Sequence, residues 1–371
     1  MNAKLCDPVG VFVSNGEVFI ADTGNHRVRK LLRNGQMVTI AGKGSGGYGD
    51  DDQLATRSQL NFPNSVVVSS SNQVYISEEG NHRIRKIDRD GMISTIAGTG
   101  EEGYNGDNQL AIHAQLNCPQ GLFVTEDEEV YFCDNGNNRV RKIDSFGVIS
   151  TIAGIGTLDN GGQGYNGDDI LATTAQLNCP TNVFVYKNEI YISDTDNHRI
   201  RKVLQSGIIK TIAGTGQEGY NGDDQPAVYS TMYYPEGICV HNDRIYFSDF
   251  KNNRVRKILP NGIIKTIVGN GNRGISEDGK LATDFEIVRP VGIFVNDSGI
   301  YISFDQDMRI RKVDGNDIIT TIVGTGEEGY SGDVLFDFHK YPHIGPRKKK
   351  QLIKPFPHAY HDLIVVCVEI D

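Results

Sequence analysis

The four-residue string Arg-(Val/Ile)-Arg-Lys recurs along most of the chain, and no other pattern limits the possible folds as strongly. The six copies begin at Arg27, Arg83, Arg139, Arg199, Arg254 and Arg309. Successive copies are separated by 56, 56, 60, 55 and 55 residues, and an insertion around Gly156 to Gln163 explains the longest interval. A nearly constant period of this size is typical of proteins built from structural repeats.

Each repeat contains four short runs with the character of β-strands. In the second repeat they are Ser65 to Val68, Gln73 to Ser77, Arg83 to Ile87 and Met92 to Ile96, and Asp90–Gly91 marks a hairpin turn before the last run. No long stretch has helical periodicity. Six units of four antiparallel strands predict an all-β fold, a six-bladed β-propeller of four-stranded blades.

The repeat resembles the NHL repeat. It reads Pro-x-Gly-(Val/Ile/Leu)-x-Val, then a strand ending in Asp-x-x-Asn-His-Arg-(Val/Ile)-Arg-Lys, then a last strand ending in Gly. The resemblance covers roughly Pro8 to Gly332, implies a propeller, and is nearest to bacterial NHL arrays and the NHL region of teneurins. The sixth repeat departs from the pattern, because Phe304 replaces the acid, and Asp307 and Met308 replace the Asn and His.

Both ends of the repeated region fall inside a linker between repeats. Asn2 to Leu5 aligns with the second half of a linker, and Gly324 to Asp333 with the first half. A closed ring needs its ends to meet in this way, so residues 1–333 are predicted to form one propeller, although a piece cut from a longer array would look the same. Residues 334–371 carry the basic run Arg347 to Lys350 and are predicted to be a disordered extension or an added strand.

An acidic residue and an arginine recur on either side of a short turn in the first five repeats. An Arg–carboxylate pair at this place would tie the second strand to the third. The alternative is a ligand clamp repeated around the ring, but recurrence in five of six repeats favours the structural role. The predicted pairs are Asp22–Arg27, Glu78–Arg83, Asp134–Arg139, Asp194–Arg199 and Asp249–Arg254.

The linkers between repeats are the distinctive part of this sequence. Each has about twenty residues, longer than most loops, and all should emerge on one face of the ring, which makes that face a candidate binding surface. Asp52, Asp107, Asp169 and Asp224 are predicted to cap one-turn helices there. Tyrosine is a good interface anchor, although each ring could simply pack against its neighbouring linker. The candidate partner-binding residues are Tyr48, Tyr104, Tyr165, Tyr220 and Tyr330.

Residues suited to metal or nucleic-acid chemistry do not form a clear site. His26, His82 and His198 share one position in different repeats, and neighbouring sheets lie about 10 Å apart, too far to share an ion. The acidic linkers leave calcium as the one cofactor to consider, although they lack an EF-hand loop. The chain has 47 Asp and Glu against 37 Lys and Arg, and many of the bases belong to the repeated motif. This balance argues against nucleic acid as a partner.

These observations predict a non-catalytic module that binds a protein or peptide partner on the linker face. One alternative is an enzyme, since related six-bladed propellers include lyases and hydrolases with a metal in the central channel. The first strands here, such as Val11–Phe12–Val13 and Leu122–Phe123–Val124, are apolar and poorly suited to a metal. Another alternative is a sensor or ectodomain fragment of a larger membrane protein. Six dispersed cysteines favour a reducing compartment such as the cytoplasm.

Overall fold

Six antiparallel sheets are arranged radially around a central axis in the computed structural model, which describes residues 3–156 and 164–335. The chain is therefore the all-β, six-bladed propeller that the repeat predicts. Consecutive strands are neighbours within each blade, and the first strands of adjacent blades contact one another around the axis. No helix within the described ranges is long and apolar enough to cross a membrane.

Each blade takes its four main strands from one continuous stretch of chain. Their bounds are Pro8–Ser14, Glu17–Asp22, Arg27–Leu31 and Met37–Ala41 in blade 1; Pro63–Val68, Val74–Glu78, Arg83–Ile87 and Met92–Ala97 in blade 2; Pro119–Val124, Val130–Asp134, Arg139–Ile143 and Val148–Ala153 in blade 3; Pro180–Tyr186, Glu189–Asp194, Arg199–Val203 and Ile208–Ala213 in blade 4; Pro235–His241, Arg244–Asp249, Arg254–Ile258 and Ile264–Val268 in blade 5; and Pro290–Asn296, Gly299–Phe304, Ile310–Val313 and Ile318–Val323 in blade 6.

Short linker strands extend the outer edge of five blades, which gives those sheets five strands where the sequence predicts four. These strands are Gln53–Leu54, Gln109–Leu110, Ile170–Leu171, Lys280–Leu281 and Val334–Leu335. Single 3-10 turns also occur in the linkers, at Ala55–Arg57, Ala111–His113, Ala172–Thr174, Ala227–Tyr229 and Ala282–Asp284. Similar turns join the second and third strands, at Thr23–Asn25, Glu79–Asn81, Asn135–Asn137, Thr195–Asn197 and Phe250–Asn252.

The predicted helix caps in the linkers are wrong. The residue before each linker turn is Leu54, Leu110, Leu171 or Pro226, and no side chain caps the turn. The turn starts later than predicted because most linkers first pair with the outer strand of the next blade. Asp52, Asp169 and Asp224 instead have left-handed backbone, and Asp107 binds an arginine.

The ring closes between blades 1 and 6. Their first strands contact each other, and Leu5 forms a parallel bridge with Glu328. Val334–Leu335 then runs parallel to Met37–Ala41 at the outer edge of blade 1. The remainder of the predicted tail, residues 336–371, lies outside the described ranges.

Apolar side chains on both faces of each blade form the core, so hydrophobic clusters lie between blades rather than within them. One cluster joins Phe19 and Ile40 of blade 1 to Val66, Ile76 and Ile93 of blade 2. Burial of this kind makes each blade depend on its neighbours for stability.

The first strands approach closely at the axis, and a glycine permits this in four blades. A Cβ atom on Gly10 would lie 2.8 Å from the backbone oxygen of Asn64. The side chains of Ser65 and Asn182 occupy the equivalent positions in blades 2 and 4. Large residues are therefore excluded from the narrow part of the channel.

Candidate functional site

A buried arginine lies where each linker meets the blade that it leads into. It is the second arginine of the repeated motif, and it binds one carboxylate from the second strand and one from the linker. In blade 2, guanidinium nitrogens of Arg85 lie 3.1 Å from Glu78 Oε1 and 2.9 Å from Asp51 Oδ1. Pairing and hydrogen bonds compensate the cost of burying these charges. The equivalent groups are Asp22–Arg29–Asp333, Asp134–Arg141–Asp107, Asp194–Arg201–Asp168 and Asp249–Arg256–Asp223.

The predicted pairing of the second-strand acid with the first arginine is wrong. Glu78 and Arg83 are opposite each other in the ladder, but the guanidinium of Arg83 donates to the carbonyl oxygens of Asn81 and Thr99. Arg85 lies two residues further along the same strand, so it shares a face with Arg83 and reaches back to the carboxylate. The same correction applies to the pairs predicted for Arg27, Arg139, Arg199 and Arg254.

The linker tyrosines pack on the first arginine of the blade that follows. The guanidinium carbon of Arg83 lies 4.0 Å from the ring centroid of Tyr48, which is a cation–π contact. The structure therefore shows the packing role that was the alternative for these rings. More than a third of the surface of Tyr48, Tyr104, Tyr165 and Tyr220 nevertheless stays exposed, and partner binding remains a prediction. The other stacked pairs are Tyr104–Arg139, Tyr165–Arg199, Tyr220–Arg254 and Tyr330–Arg27.

Blade 6 keeps the buried arginine although its second strand ends in Phe304. Asp307, three residues later, supplies the missing carboxylate, and Arg311 Nε lies 2.7 Å from Asp307 Oδ2. Asp278 of the linker is the second anion. An aromatic contact is also retained, because Phe285 lies 4.8 Å from the Arg311 guanidinium while Ile275 replaces the linker tyrosine. The loss of the acid at Phe304 is therefore compensated by the gain of an acid at Asp307, where the other blades have Asn.

Burial dominates the titration of the second-strand acids. It raises the pKa of Glu78 to about 7, against the opposing effects of Arg85 and Asn81. The same cause raises the pKa of Asp194 and Asp249 to about 6. Because each of these acids is also held by an arginine and an asparagine, its role in the structure is to fix the turn and the linker.

The repeat histidines connect neighbouring blades. Each occupies a left-handed position before the third strand, and its Nδ1 accepts the backbone N–H that precedes the next blade. His26 accepts from Phe62 at 3.2 Å, and His198 accepts from Tyr234 at 3.3 Å. Burial lowers the pKa of both rings, which favours the neutral form that this bond requires. The equivalent acceptors in the other blades are His82, Asn138, Asn253 and Met308.

Exposed apolar side chains concentrate in the linkers, whose outer residues are here called the linker surface. Of the large hydrophobic side chains that are exposed in the described ranges, Phe146 alone lies outside a linker. The others are Tyr48, Phe62, Tyr104, Leu110, Ile112, Tyr165, Leu171, Tyr220, Val228, Tyr229, Ile275 and Leu281.

A groove of about 680 Å³ lies between blades 2 and 3, where Leu110 and Ile112 of the linker meet the loops that join the first and second strands of these blades. Leu110, Ile112 and Ile96 form an apolar wall, and Glu126 and Asp127 are acidic residues in its lining. Such a groove can receive apolar side chains from a partner while its acids favour positive charge nearby.

The sequence motifs did not indicate the role of the second arginine, of the linker acid or of the acceptors that connect the blades. The linker acid and its arginine are separated by 34 residues in blades 2 and 3, and by 33 in blades 4 and 5. That recurring interval is visible in the sequence and could have identified the pair. The acceptor position is harder to recognise because His, Asn and Met all occupy it.

Comparison with known proteins connects this architecture with a named repeat. The NHL repeat model matches residues 5–31 and 60–87, in the first two blades. Teneurin-1 of Gallus gallus is 26% identical over 353 residues, covering 85% of this chain and 13% of teneurin-1. NHL repeat-containing protein 2 of Gallus gallus is 25% identical over 340 residues, covering 82% of this chain and 46% of that protein. The chain thus spans less than half the length of either relative.

The fold is also found in solved propellers of low sequence identity. A virginiamycin B lyase from Staphylococcus aureus superposes with a TM-score of 0.51 at 17% identity, covering 88% of each chain. At this identity the likeness concerns the fold alone. Fold and repeated site together define a six-bladed repeat propeller. The repeats of its first two blades match the NHL repeat, so the chain is a six-bladed β-propeller that contains NHL repeats.

Proposed function

We propose that this NHL propeller is a non-catalytic interaction module and that a protein or peptide partner binds on its linker surface. The observation that carries the proposal is the concentration of exposed apolar side chains in the linkers. Apolar groups gathered on one part of a surface are typical of interaction sites, whereas isolated ones are ordinary.

The groove between blades 2 and 3 supports the same proposal and indicates the chemistry of the partner. Leu110 and Ile112 are each almost half exposed, at 47% and 45%. Glu126, Asp127 and Asp144 also line the groove, with Lys86 as a basic residue among them. The partner that fits is a segment with apolar side chains flanked by Lys or Arg. Its association should weaken as salt concentration rises, because exposed charges are screened.

The polar groups of the repeat support binding rather than catalysis. Each second-strand acid is occupied by a buried arginine, as in the Glu78–Arg85 pair, and is not free to act as a general acid or base. The histidines are occupied as acceptors of backbone N–H groups. The alternative function, a lyase or hydrolase, would therefore need groups outside these repeated positions.

A peptide selection on the full chain tests the proposal. Selected peptides should combine apolar and basic residues, and the double variant Leu110→Ser and Ile112→Ser should weaken their binding about tenfold or more. Leu171→Ser is the matched control, because it changes the same repeat position in blade 4. Unchanged thermal unfolding of all variants would show that the fold is intact.

Two results would contradict the proposed binding surface. Peptides that bind the groove variant as tightly as the parent chain, or that show no salt dependence, would contradict the proposed surface. The double variant Tyr104→Ala and Tyr165→Ala then separates the two roles of the tyrosines. A loss of unfolding temperature with unchanged affinity would assign them to packing alone, and weaker affinity at equal stability would assign them to the partner site.

A further inference from the structure

The second residue of each first strand lines one end of the central channel. This end carries the turns between the second and third strands, and it opens into a cavity of about 50 Å³. A cavity of this size holds a few water molecules or one small chemical group, not a drug-sized ligand. The ring of lining residues is Val9, Asn64, Gln120, Thr181, Glu236 and Val291.

Glu236 is the ionisable member of this ring. Its carboxylate makes no hydrogen bond and no ion pair within the described parts of the chain, unlike the second-strand acids. Burial raises its pKa to about 8, and Asp305 adds to the effect while Arg289 and Lys251 oppose it. Glu236 is half-buried, and a carboxylate in such a place without a partner is a candidate for a functional site.

The polar neighbours of Glu236 make several side-chain hydrogen bonds of their own. The side-chain amides of Asn64 and Gln120 donate to Glu79 at 3.2 and 3.4 Å. Thr195 donates to the carbonyl oxygen of Pro235, so the hydroxyl of Thr181 must donate to Thr195. The oxygens of these side chains remain as acceptors. A cavity lined by these oxygens, the amide of Asn182 and a carboxylate without a cation can hold a group that donates several hydrogen bonds and carries positive charge.

Blade 5 also carries aromatic rings close in sequence to Glu236 and on the turn that faces the start of its strand. Tyr233 and Tyr234 lie 5.0 Å apart, between their ring centroids, immediately before the strand that carries Glu236. Phe250 occupies the position held by Thr23, Glu79, Asn135 and Thr195 in the first four blades. These rings offer a surface for the body of a ligand whose polar end enters the channel.

We infer that the channel end beside blade 5 binds a ligand through its protonated primary amine, with the ammonium next to Glu236 and the body of the ligand against Phe250 and Tyr234. An ammonium has three donors and a positive charge, which match the free acceptors and the carboxylate. The site is distinct from the groove between blades 2 and 3 and goes beyond the proposed function.

The charges around the mouth agree with this assignment. Arg289 is paired with Asp305 at 3.0 Å, so it adds little repulsion. Lys251 is the remaining base, and its Nζ lies 5.7 Å from the ring of Tyr234 and 5.9 Å from that of Phe250. Glu79, Asp196 and Asp7 are further acids on the neighbouring turns and strands at this end.

Binding of an ammonium should change the protonation of Glu236. In the free protein the carboxyl is mostly protonated below about pH 8, and pairing with a cation favours its ionised form. One proton therefore leaves the carboxyl when the ammonium binds. Affinity should rise by up to about tenfold for each pH unit below the pKa and level off above it.

Titration calorimetry of the full chain with 2-phenylethylamine tests the inference. Binding at millimolar concentration, proton release between about pH 6 and pH 8, and a loss of about tenfold or more in Glu236→Gln are expected. Asp90→Asn, which changes an exposed acid in the turn between the third and fourth strands of blade 2, is the control and should bind as the parent does. 2-Phenylethanol lacks the charge and benzyltrimethylammonium exceeds the cavity, so both should bind more weakly.

Several results would overturn the inference. They are no detectable binding of 2-phenylethylamine, unchanged binding in Glu236→Gln, equal binding of the alcohol, or affinity that falls as the pH rises from 6 to 8. Glu236→Gln removes an unpartnered carboxyl and should leave thermal unfolding unchanged or raised, which keeps the comparison interpretable. The double variant of Leu110 and Ile112 should still bind the amine, so failure of the linker surface and failure of this site can be told apart.

Discussion

Replacing Arg85 by methionine should destabilise the protein much more than the same change at Arg83. Both changes keep an unbranched side chain and remove one charge. Arg85→Met leaves the fully buried carboxylate of Glu78 without its cation, and breaking such a pair costs about 3–5 kcal/mol. Arg83→Met removes a ring contact with Tyr48 and two hydrogen bonds to carbonyl oxygens near the surface, which together contribute about 1–2 kcal/mol.

Equilibrium unfolding in urea measures both losses, and pH provides an internal check. Burial already raises the pKa of Glu78 to about 7, and loss of Arg85 removes the main opposing effect. A carboxyl whose folded pKa lies above its unfolded value loses its contribution to stability as pH rises through the folded pKa. The cost of Arg85→Met should therefore be larger at about pH 8.5 than at about pH 5.5. Equal costs for the two variants, or a cost that does not change with pH, would refute the assignment of Arg85 as the partner of Glu78.

Three further changes test the linkers and the blade contacts. Asp333→Ala should lower the thermal unfolding temperature more than Asp107→Ala does, because the Asp333 side chain is 2% exposed and that of Asp107 is 23% exposed. Scanning calorimetry measures both shifts, and an equal or smaller shift for Asp333→Ala would contradict this reasoning. Asp307→Asn should cost about 3–5 kcal/mol in urea unfolding, and adding Phe304→Asp should recover part of it if the two positions compensate each other. His198 has a lowered pKa in the folded protein, so its contribution to the free energy of unfolding is present above the unfolded pKa and is lost as pH falls below about 6.5. His198→Asn should reduce this loss of stability at low pH, which unfolding measured at several pH values tests. An unchanged pH profile would exclude the neutral ring as the acceptor.

The periodicity of the sequence was sufficient to predict the number of blades, the four main strands in each and the closed ring. It could not decide which arginine meets the acid, because Arg83 and Arg85 lie on the same face of a strand and the choice depends on the path of the linker. The fifth strand was missed for a similar reason, since two residues such as Gln109–Leu110 carry too little pattern to be recognised. Glu236 escaped notice because it occupies a variable position of the repeat, and its surroundings come from other blades.

The Arg29–Asp333 ion pair, which closes the ring, spans a much longer stretch of chain than the equivalent ion pairs of the other blades. Arg29 and Asp333 are 304 residues apart in the sequence, whereas Arg85 and Asp51 are 34 apart. Because the entropy cost of closing a loop grows with the logarithm of its length, closure by the longer loop costs roughly 2 kcal/mol more. Similar contacts therefore hold the junction of blades 1 and 6 less firmly than any other junction. Fluctuations of the native ring should open there first, and amide hydrogens near Leu5 and Val334 should exchange with solvent before those at the equivalent positions of blades 2 to 5.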